Sequence, residues 1–467
     1  MPLAAPPSDE SSWTKDLGIA TLLSAYRDGS LTPERLINDV YDRIEAYKDK
    51  AVWITLIPRE KSTDYARQLQ QEHRAGVLPP LFGVPFSVKD SFDVAGLPTT
   101  VACPSFAYTA ERTSPVVQKL LDAGGILIGK TNMDQFATGM TGRRSPYGTP
   151  RCVYDADYIT GGSSSGSAVT VAAGLVSFTL GTDTAGSIRV PAALNGVVGL
   201  KPTLGTVSAV GVVPACRTAD CVGIITKSID DAEFVWKIVS GYDEEDIYAR
   251  QAVPQWPAWP SKVRFGTPSD RLLQDLSPEY SRLYSAVIEA LPSVDCVRVE
   301  DFDYTSFNYA NDLLYNSSIV AQRLVALQPY IKEHGLDELH PVTKSIFSAS
   351  SDFDAVRTYQ DIFDVRRCRR LAEIQFRDNI DILVVPSTVA HFTVAEIDED
   401  PIGRNMFMGR FSHFVNLLDL CAVAVPVGTW TNEKGNEMPF GVTLIAPAGR
   451  DADIMRLGKK LMSRMLQ

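Results

Sequence analysis

The first strong periodicity along the chain is helical. After Thr32 and Pro33, apolar residues recur at Leu36, Ile37, Val40, Tyr41 and Ile44, the spacing of one helix face, with the threonine placed to cap the first turn and the proline tolerated within it. Val116, Val117, Leu120 and Leu121 repeat this spacing directly before GGILIGKTN at 124–132, which reads as a buried strand. LFGVPFSV at 81–88 reads as an approach turn and a short strand that delivers Lys89 and Asp90. In SAVTVAAGLVSFTLG at 167–181, the small residues of the first half predict a closely packed helix, and VSFTLG predicts a central strand. VRFGTP at 263–268, DILVVPS at 381–387 and CAVAVPVG at 421–428 each predict a strand running into a loop, and ADIMRLGKKLMSRML at 452–466 predicts an amphipathic helix.

Strands and helices alternate without a fixed repeat, which predicts one large α/β/α layered domain over 1–467 instead of a solenoid. Its N-terminal helical region covers about 15–50, and Pro254, Trp256, Pro257, Trp259 and Pro260 mark a surface crossing at 250–261. With 467 residues, 45% hydrophobic and 22% charged, the chain can bury a substantial core unaided. Its 56 acidic against 45 basic residues, a net charge of -11, argue against a general nucleic-acid or anionic-membrane binder. No stretch combines the length and hydrophobicity of a membrane span, and MPLAAPPSDE lacks the basic start of a signal peptide, so a cytoplasmic location is expected. The seven cysteines follow neither zinc-site nor disulfide-framework spacing, which predicts reduced core thiols; separately, no metal or other cofactor is expected.

Two short motifs point the wrong way. Gly124 with Gly129-Lys130-Thr131 satisfies the phosphate-loop pattern, but the intervening Gly125, Ile126, Leu127 and Ile128 read as strand and not as an open backbone nest. Gly162-Ser163-Ser164-Ser165-Gly166 satisfies the nucleophile-elbow pattern centred on Ser164, yet DADYIT before it is a poor central strand. None of His73, His334, His340, His391 and His413 carries a local motif that marks a base, and His73 lies in the polar QQEHR run as a solvated helix residue.

Three separated elements make a stronger constellation: Lys89 after an apolar strand, Ser163 in the glycine-rich loop and Ser187 in GTDTAGSIR. The small residues Thr184, Ala185 and Gly186 let consecutive backbone N–H groups approach a substrate oxygen. A lysine accepts a proton only when neutral, and an exposed one, with a pKa of ~10.4, is charged near neutrality, so burial of Lys89 is part of the expectation.

GVPFSVKD at 83–90, GKTNMDQFATG at 129–139, SPYGTPR at 145–151, GGSSSGSAVTVAAG at 161–174, GTDTAGSIRVPAALNGVVGLKPT at 181–203 and PFGVTLIAP at 439–447 together resemble the amidase signature family over roughly residues 15–460. The resemblance implies a central mixed β-sheet flanked by helices and a catalytic set of Lys89, Ser163 and Ser187, with a cis peptide before Ser163. It assigns Ser187 as nucleophile, Ser163 as proton relay, Lys89 as base, and the backbone of Thr184, Ala185 and Gly186 as oxyanion hole. Ser164 and Ser165 take local hydrogen-bonding roles, and Asp183 and Arg189 support the loop that presents Ser187.

Within the family, TNMDQFATGMTGRRSPYG at 131–148, Ala185, VVPACRTADCVGI at 212–224 and NLLDLCAVAVP at 416–426 are most similar to the amidase domain of allophanate hydrolases. That similarity implies a small anionic amide substrate, ammonia release, a role in urea degradation and a homodimer. Tyr315 and Arg323 resemble the substrate-binding pair, with the arginine suited to a carboxylate; Arg143, Arg144 and His413 are the alternative anion-binding groups. Departures fall at Ile188, Gln322 and Phe411-Ser412-His413-Phe414, and the C-terminal accessory domain of allophanate hydrolases is not expected in this chain. A broader small-amide amidase and an amidotransferase-like subunit stay open as alternatives.

Overall fold

In the computed structural model the Thr32 hydroxyl accepts the Arg35 N–H at 3.3 Å, so the expected cap opens the expected helix. The structure describes Trp13, residues 16–73 and residues 77–466; MPLAAPPSDE and residue 15, the start of the anticipated helical region, lie outside them. Helices α1 (Ile19–Asp28) and α2 (Pro33–Ala46) turn their apolar stripes inward, burying Leu36, Ile37, Val40, Tyr41 and Ile44.

Eleven strands form one sheet: β1 (Trp53–Leu56), β2 (Pro85–Lys89), β3 (Ile126–Thr131), β4 (Phe178–Asp183), β5 (Val198–Lys201), β6 (Cys221–Thr226), β7 (Val263–Gly266), β8 (Cys296–Arg298), β9 (Ile382–Pro386), β10 (Leu420–Thr431) and β11 (Glu437–Pro447). Their spatial order is β1-β3-β2-β4-β6-β5-β10-β11-β9-β7-β8. β2 runs parallel to both β3 and β4, while β4–β6 and β10–β11 are antiparallel, so the sheet is mixed. β2, β3, β4 and β6 are buried along their whole length, as expected for strands covered on both faces.

The helices that matter for the site are α3 (Pro115–Asp122), α4 (Ser165–Ala172), α5 (Arg189–Leu194), α6 (Thr305–Asn316), α7 (Gln322–His334), α8 (Pro341–Ser350), α9 (Ala355–Asp378) and α10 (Asp451–Met465). Small residues bring the loop before α5 down onto the sheet. A Cβ at Gly181 of β4 would lie 2.8 Å from Ile188, so glycine there is what lets the residue before α5 seat against the strand. Residues 251–261 form neither helix nor strand, and Trp256 anchors this crossing through its indole N–H to Ala448 O at 3.0 Å. α10 buries Ile454, Met455, Leu457 and Leu461 against its own core. No described helix is long and apolar enough to cross a membrane.

Candidate active site

Lys89 is the last residue of β2 and is fully buried. Its Nζ lies 2.7 Å from Ser163 Oγ and 2.8 Å from Thr182 Oγ1. Burial pulls its pKa down to about 7, against the opposing pull of Asp134, Asp183 and Asp220. The amine is therefore poised between its two protonation states near neutrality, while hydrogen-bonded to a serine hydroxyl that can hand it a proton.

Ser163 follows a cis Gly162–Ser163 peptide bond. Its loop is held by the segment after β3: the Asp134 N–H donates to Ser163 O at 3.1 Å, and the Gly162 N–H donates to Met140 O at 2.8 Å. The Asp134 carboxylate accepts the N–H groups of Gly142 and Arg144, folding residues 134–144 into the wall that supports the serine loop. Ser164 donates to Thr182 O and Ser165 to Asn132 O, both at 3.3 Å, so these hydroxyls are used within the scaffold.

Ser187 is buried in the loop between β4 and α5, and Asp183 brackets it. Asp183 Oδ1 accepts the Gly186 N–H at 2.9 Å and Oδ2 accepts the Ile188 N–H at 3.1 Å. Arg189 closes on the same carboxylate through Nε at 3.0 Å and Nη2 at 2.8 Å, in a pair with no exposed side-chain surface. Burial alone would raise the Asp183 pKa, but Arg189 and the backbone donors outweigh it and hold the carboxyl below its ordinary value. Of the three residues expected to form the oxyanion hole, Gly186 donates its N–H to Asp183. The N–H groups of Thr184, Ala185 and Ser187 have no acceptor among the described residues. Gly186 has φ 119°, and a Cβ on it would lie 2.6 Å from Ser412 Oγ, so only glycine fits this turn.

Several contributing residues carry no short-range signal of their role. Thr182 presents its hydroxyl to Lys89 from the neighbouring strand. Ser412 donates to Ala185 O at 2.7 Å, Asn416 donates to Asp183 O at 2.7 Å, and Thr184 donates to Asp220 at 2.5 Å. Thr182 sits inside the GTDTAGS motif, but its contact with Lys89, like those of Ser412, Asn416 and Asp220 with the loop, arises only through tertiary structure.

Arg323 lies in the first turn of α7 and is 2% exposed. Its Nη1 donates to Thr138 Oγ1 at 3.0 Å and its Nη2 lies 3.4 Å from the Tyr315 hydroxyl of α6. Among the described residues it has only neutral acceptors and no carboxylate partner. The His413 ring meets Tyr315 at 5.0 Å between centroids and its Nε2 lies 3.1 Å from Met140 Sδ; burial lowers its pKa to about 3, so it is a neutral group. Arg143 is already paired with Asp398 at 2.7 Å.

The misleading motifs resolve as structure. Lys130 in β3 donates to Pro98 O at 2.6 Å and Thr99 Oγ1 at 2.8 Å and pairs with buried Asp90, leaving no phosphate nest. His391 bonds Ile159 O, His340 caps α8, His334 stacks on Tyr330, and half-buried His73 ends a helix beside Phe82, so none contacts a serine of the site. No described cluster of His, Cys, Asp or Glu could hold a metal ion.

The family model described as Amidase matches residues 35–455. The chain belongs to the amidase family. Within that family it is 37% identical over 435 residues to urea amidolyase of Saccharomyces cerevisiae, covering 91% of this chain and 23% of that protein. The chain thus spans about a quarter of the length of the urea amidolyases it matches, 23% and 24% in the two yeasts. A glutamyl-tRNA(Gln) amidotransferase subunit of Deinococcus deserti is 31% identical over 474 residues, covering 94% of this chain and 95% of that one. Allophanate hydrolase of Kluyveromyces lactis superposes with a TM-score of 0.85 at 34% identity, covering 98% of this chain and 73% of that one. The mixed sheet flanked by helices is the amidase fold of these neighbours.

Proposed function

We propose that this amidase hydrolyses allophanate, or a closely similar small anionic acyl-urea, and releases ammonia. The observation that carries the amidase chemistry is the buried Lys89 amine 2.7 Å from the Ser163 hydroxyl, with its pKa near 7. Ser187 Oγ attacks the terminal amide carbon while its proton passes to Ser163 and the Ser163 proton passes to Lys89. The negative charge on the carbonyl oxygen is met by the N–H groups of Thr184, Ala185 and Ser187. Lys89 returns its proton through Ser163 to the leaving nitrogen, which departs as ammonia, and water then cleaves the acyl-enzyme by the same relay.

Arg323 supports an anionic substrate. A buried guanidinium without a carboxylate partner among the described residues is expensive unless an anion is supplied, and a carboxylate can accept from it in parallel. Tyr315, bonded to the same guanidinium, orients that end of the substrate. Ammonia release measured across allophanate, biuret, malonamate and simple aliphatic amides tests the reading: allophanate should lead, and equal turnover of neutral aliphatic amides would replace it with a broad amidase. A second reading, a component of an amidotransferase, has in its favour the match across 95% of the Deinococcus deserti protein. Turnover by the purified chain without a partner decides between them.

A homodimer belongs to the same proposal. The exposed apolar residues Val356 at 80%, Tyr359 at 62% and Phe363 at 60% lie at helical spacing on α9 and offer it a surface. Seven buried, unpaired cysteines fit the proposed cytoplasmic location, where thiols stay reduced.

A further inference from the structure

Arg323 is aimed more by its backbone than by its own contacts. Of its acceptors only Thr138 Oγ1, at 3.0 Å, is close; Phe136 O and the Tyr315 hydroxyl lie at 3.4 Å and Ala137 O at 3.5 Å. The direction of the guanidinium therefore depends on where the first turn of α7 sits. Arg323 is the second residue of that helix, and Ala321 before it supplies no side-chain cap for the free N–H groups of the turn.

Gln322, the first residue of α7, ties that turn down with a two-point clasp. Its Oε1 accepts the Thr218 N–H at 3.2 Å and its Nε2 donates to Thr218 Oγ1 at 2.9 Å, across 104 positions of the chain. Beside it, Cys216 Sγ donates to Ile319 O at 3.8 Å and holds the 3-10 turn Ser318–Ala321 that leads into the helix. Thr218 is a fixed point. The Ala219 and Asp220 N–H groups both return to Cys216 O, at 2.7 and 2.9 Å, and the Asp220 carboxylate accepts the N–H groups of Ala215 and Cys216 at 2.8 and 3.0 Å. This closed turn is bonded to the loop of the proposed nucleophile: Asp220 accepts the Thr184 hydroxyl, and Asn416 Nδ2 donates to Ala219 O at 2.8 Å and Asp183 O at 2.7 Å. Gln322 thus hangs the start of α7 from a turn that is itself fastened beside Ser187.

We propose that Gln322 is a positioning residue that sets the span between the Arg323 guanidinium and the Ser187 loop, and so selects amides with a single atom, N–H or CH2, between the carboxylate and the scissile carbonyl. This inference rests on the proposed reading of Arg323 as the carboxylate clamp. Such a substrate is held at both ends, by Arg323 at the carboxylate and by the backbone donors of the Ser187 loop at the carbonyl, so its length has to match a distance between two separate elements. The clasp links those elements directly. A misplacement of ~1 Å can cost ~10²-fold in rate, and an added methylene is a change of that order.

Specificity constants for malonamate, succinamate and neutral propionamide, together with calorimetric binding of malonate and succinate, are measured for the parent protein, Gln322→Ala, Thr218→Ala and Thr218→Ser. Thr218 is exposed and Gln322 half-buried, and the alanine variants cut the clasp from opposite ends. The parent is expected to prefer malonamate to succinamate. That ratio should fall at least fivefold in Gln322→Ala and by less in Thr218→Ala, which keeps the bond from its N–H, while propionamide changes much less and Thr218→Ser, with both groups retained, stays close to parental. A parent without the malonamate preference, or an unchanged ratio in either alanine variant, overturns the proposal. Equal losses on all three amides in Gln322→Ala also overturn it, because the clasp is then a general support of the fold. If the parent cleaves none of these amides, nor allophanate, the hydrolase reading fails and binding decides the clasp: a malonate-over-succinate preference that shrinks in both alanine variants upholds it, and a preference absent or unchanged overturns it.

Discussion

Asp183 and Arg189 form a fully buried two-point ion pair, and the N–H groups on either side of Ser187 close onto the same carboxylate. The loop that carries the proposed nucleophile is thereby fixed by charge as well as by packing. Asp183→Asn keeps the shape but leaves Arg189 buried without its counter-ion. Breaking a buried pair in this way costs ~3–5 kcal/mol, so denaturant unfolding should show a loss of that order together with a steep fall in turnover. A variant of parental stability and activity would show that the bracket is dispensable.

Ser187→Ala should abolish turnover and leave the circular dichroism spectrum and unfolding midpoint close to parental, because the hydroxyl makes no hydrogen bond among the described residues. Ser163→Ala should be almost as severe, since Lys89 then loses the group 2.7 Å away that passes it a proton. A folded Ser187→Ala protein that still releases ammonia at near-parental rate removes Ser187 from the nucleophile role.

The pH profile follows from Lys89. Only the neutral amine can accept a proton, and its pKa is lowered by burial to about 7, so the neutral form dominates above that pH and is lost below it. The specificity constant should rise with pH through an apparent pKa near 7 and then level, since this limb reports the free enzyme. His413, held near 3, and His391, held near 4, cannot produce that limb. A profile flat from pH 5 to pH 8 would contradict Lys89 as the base.

Arg323→Ala separates substrate recognition from chemistry. Removing one partner of a buried charge-assisted pair costs ~2–5 kcal/mol, so the specificity constant for an anionic amide should fall at least tenfold, and that for a neutral amide much less. Equal losses on matched anionic and neutral substrates would make Arg323 a support for α6 and α7, through Tyr315, without a role in selecting the anion.

Sedimentation across micromolar concentrations checks the homodimer. A dimer that dissociates when Tyr359→Glu and Phe363→Glu are introduced on α9 would place the interface on that helix. A parent that sediments only as monomer rejects the proposal.

Local pattern determined much of this protein. The apolar stripes at Leu36–Ile44 and in α10, the cap at Thr32, and the strands ending at Lys89 and Thr131 are set by residues within a few turns of one another, so periodicity exposes them. The motifs around Lys89, Ser163 and Ser187 were likewise legible, because each occupies one short loop or strand end. Tertiary structure decided what those residues face. The lowered pKa of Lys89 depends on being enclosed by strands distant in sequence, and Thr182 reaches it only because β2 and β4 are neighbours in the sheet. Arg323 looks the same in sequence whether a helix carries it at the surface or in the core; α7 buries it against residues 136–138, nearly two hundred positions earlier in the chain. Asp183 accepts the Gly186 N–H, and the folded arrangement of Ser412, Asn416 and Asp220 around that loop arises from long-range contacts that no local spacing encodes. Charge and hydrogen-bond partners are properties of the folded environment, whereas helix and strand periodicity is a property of the local chain.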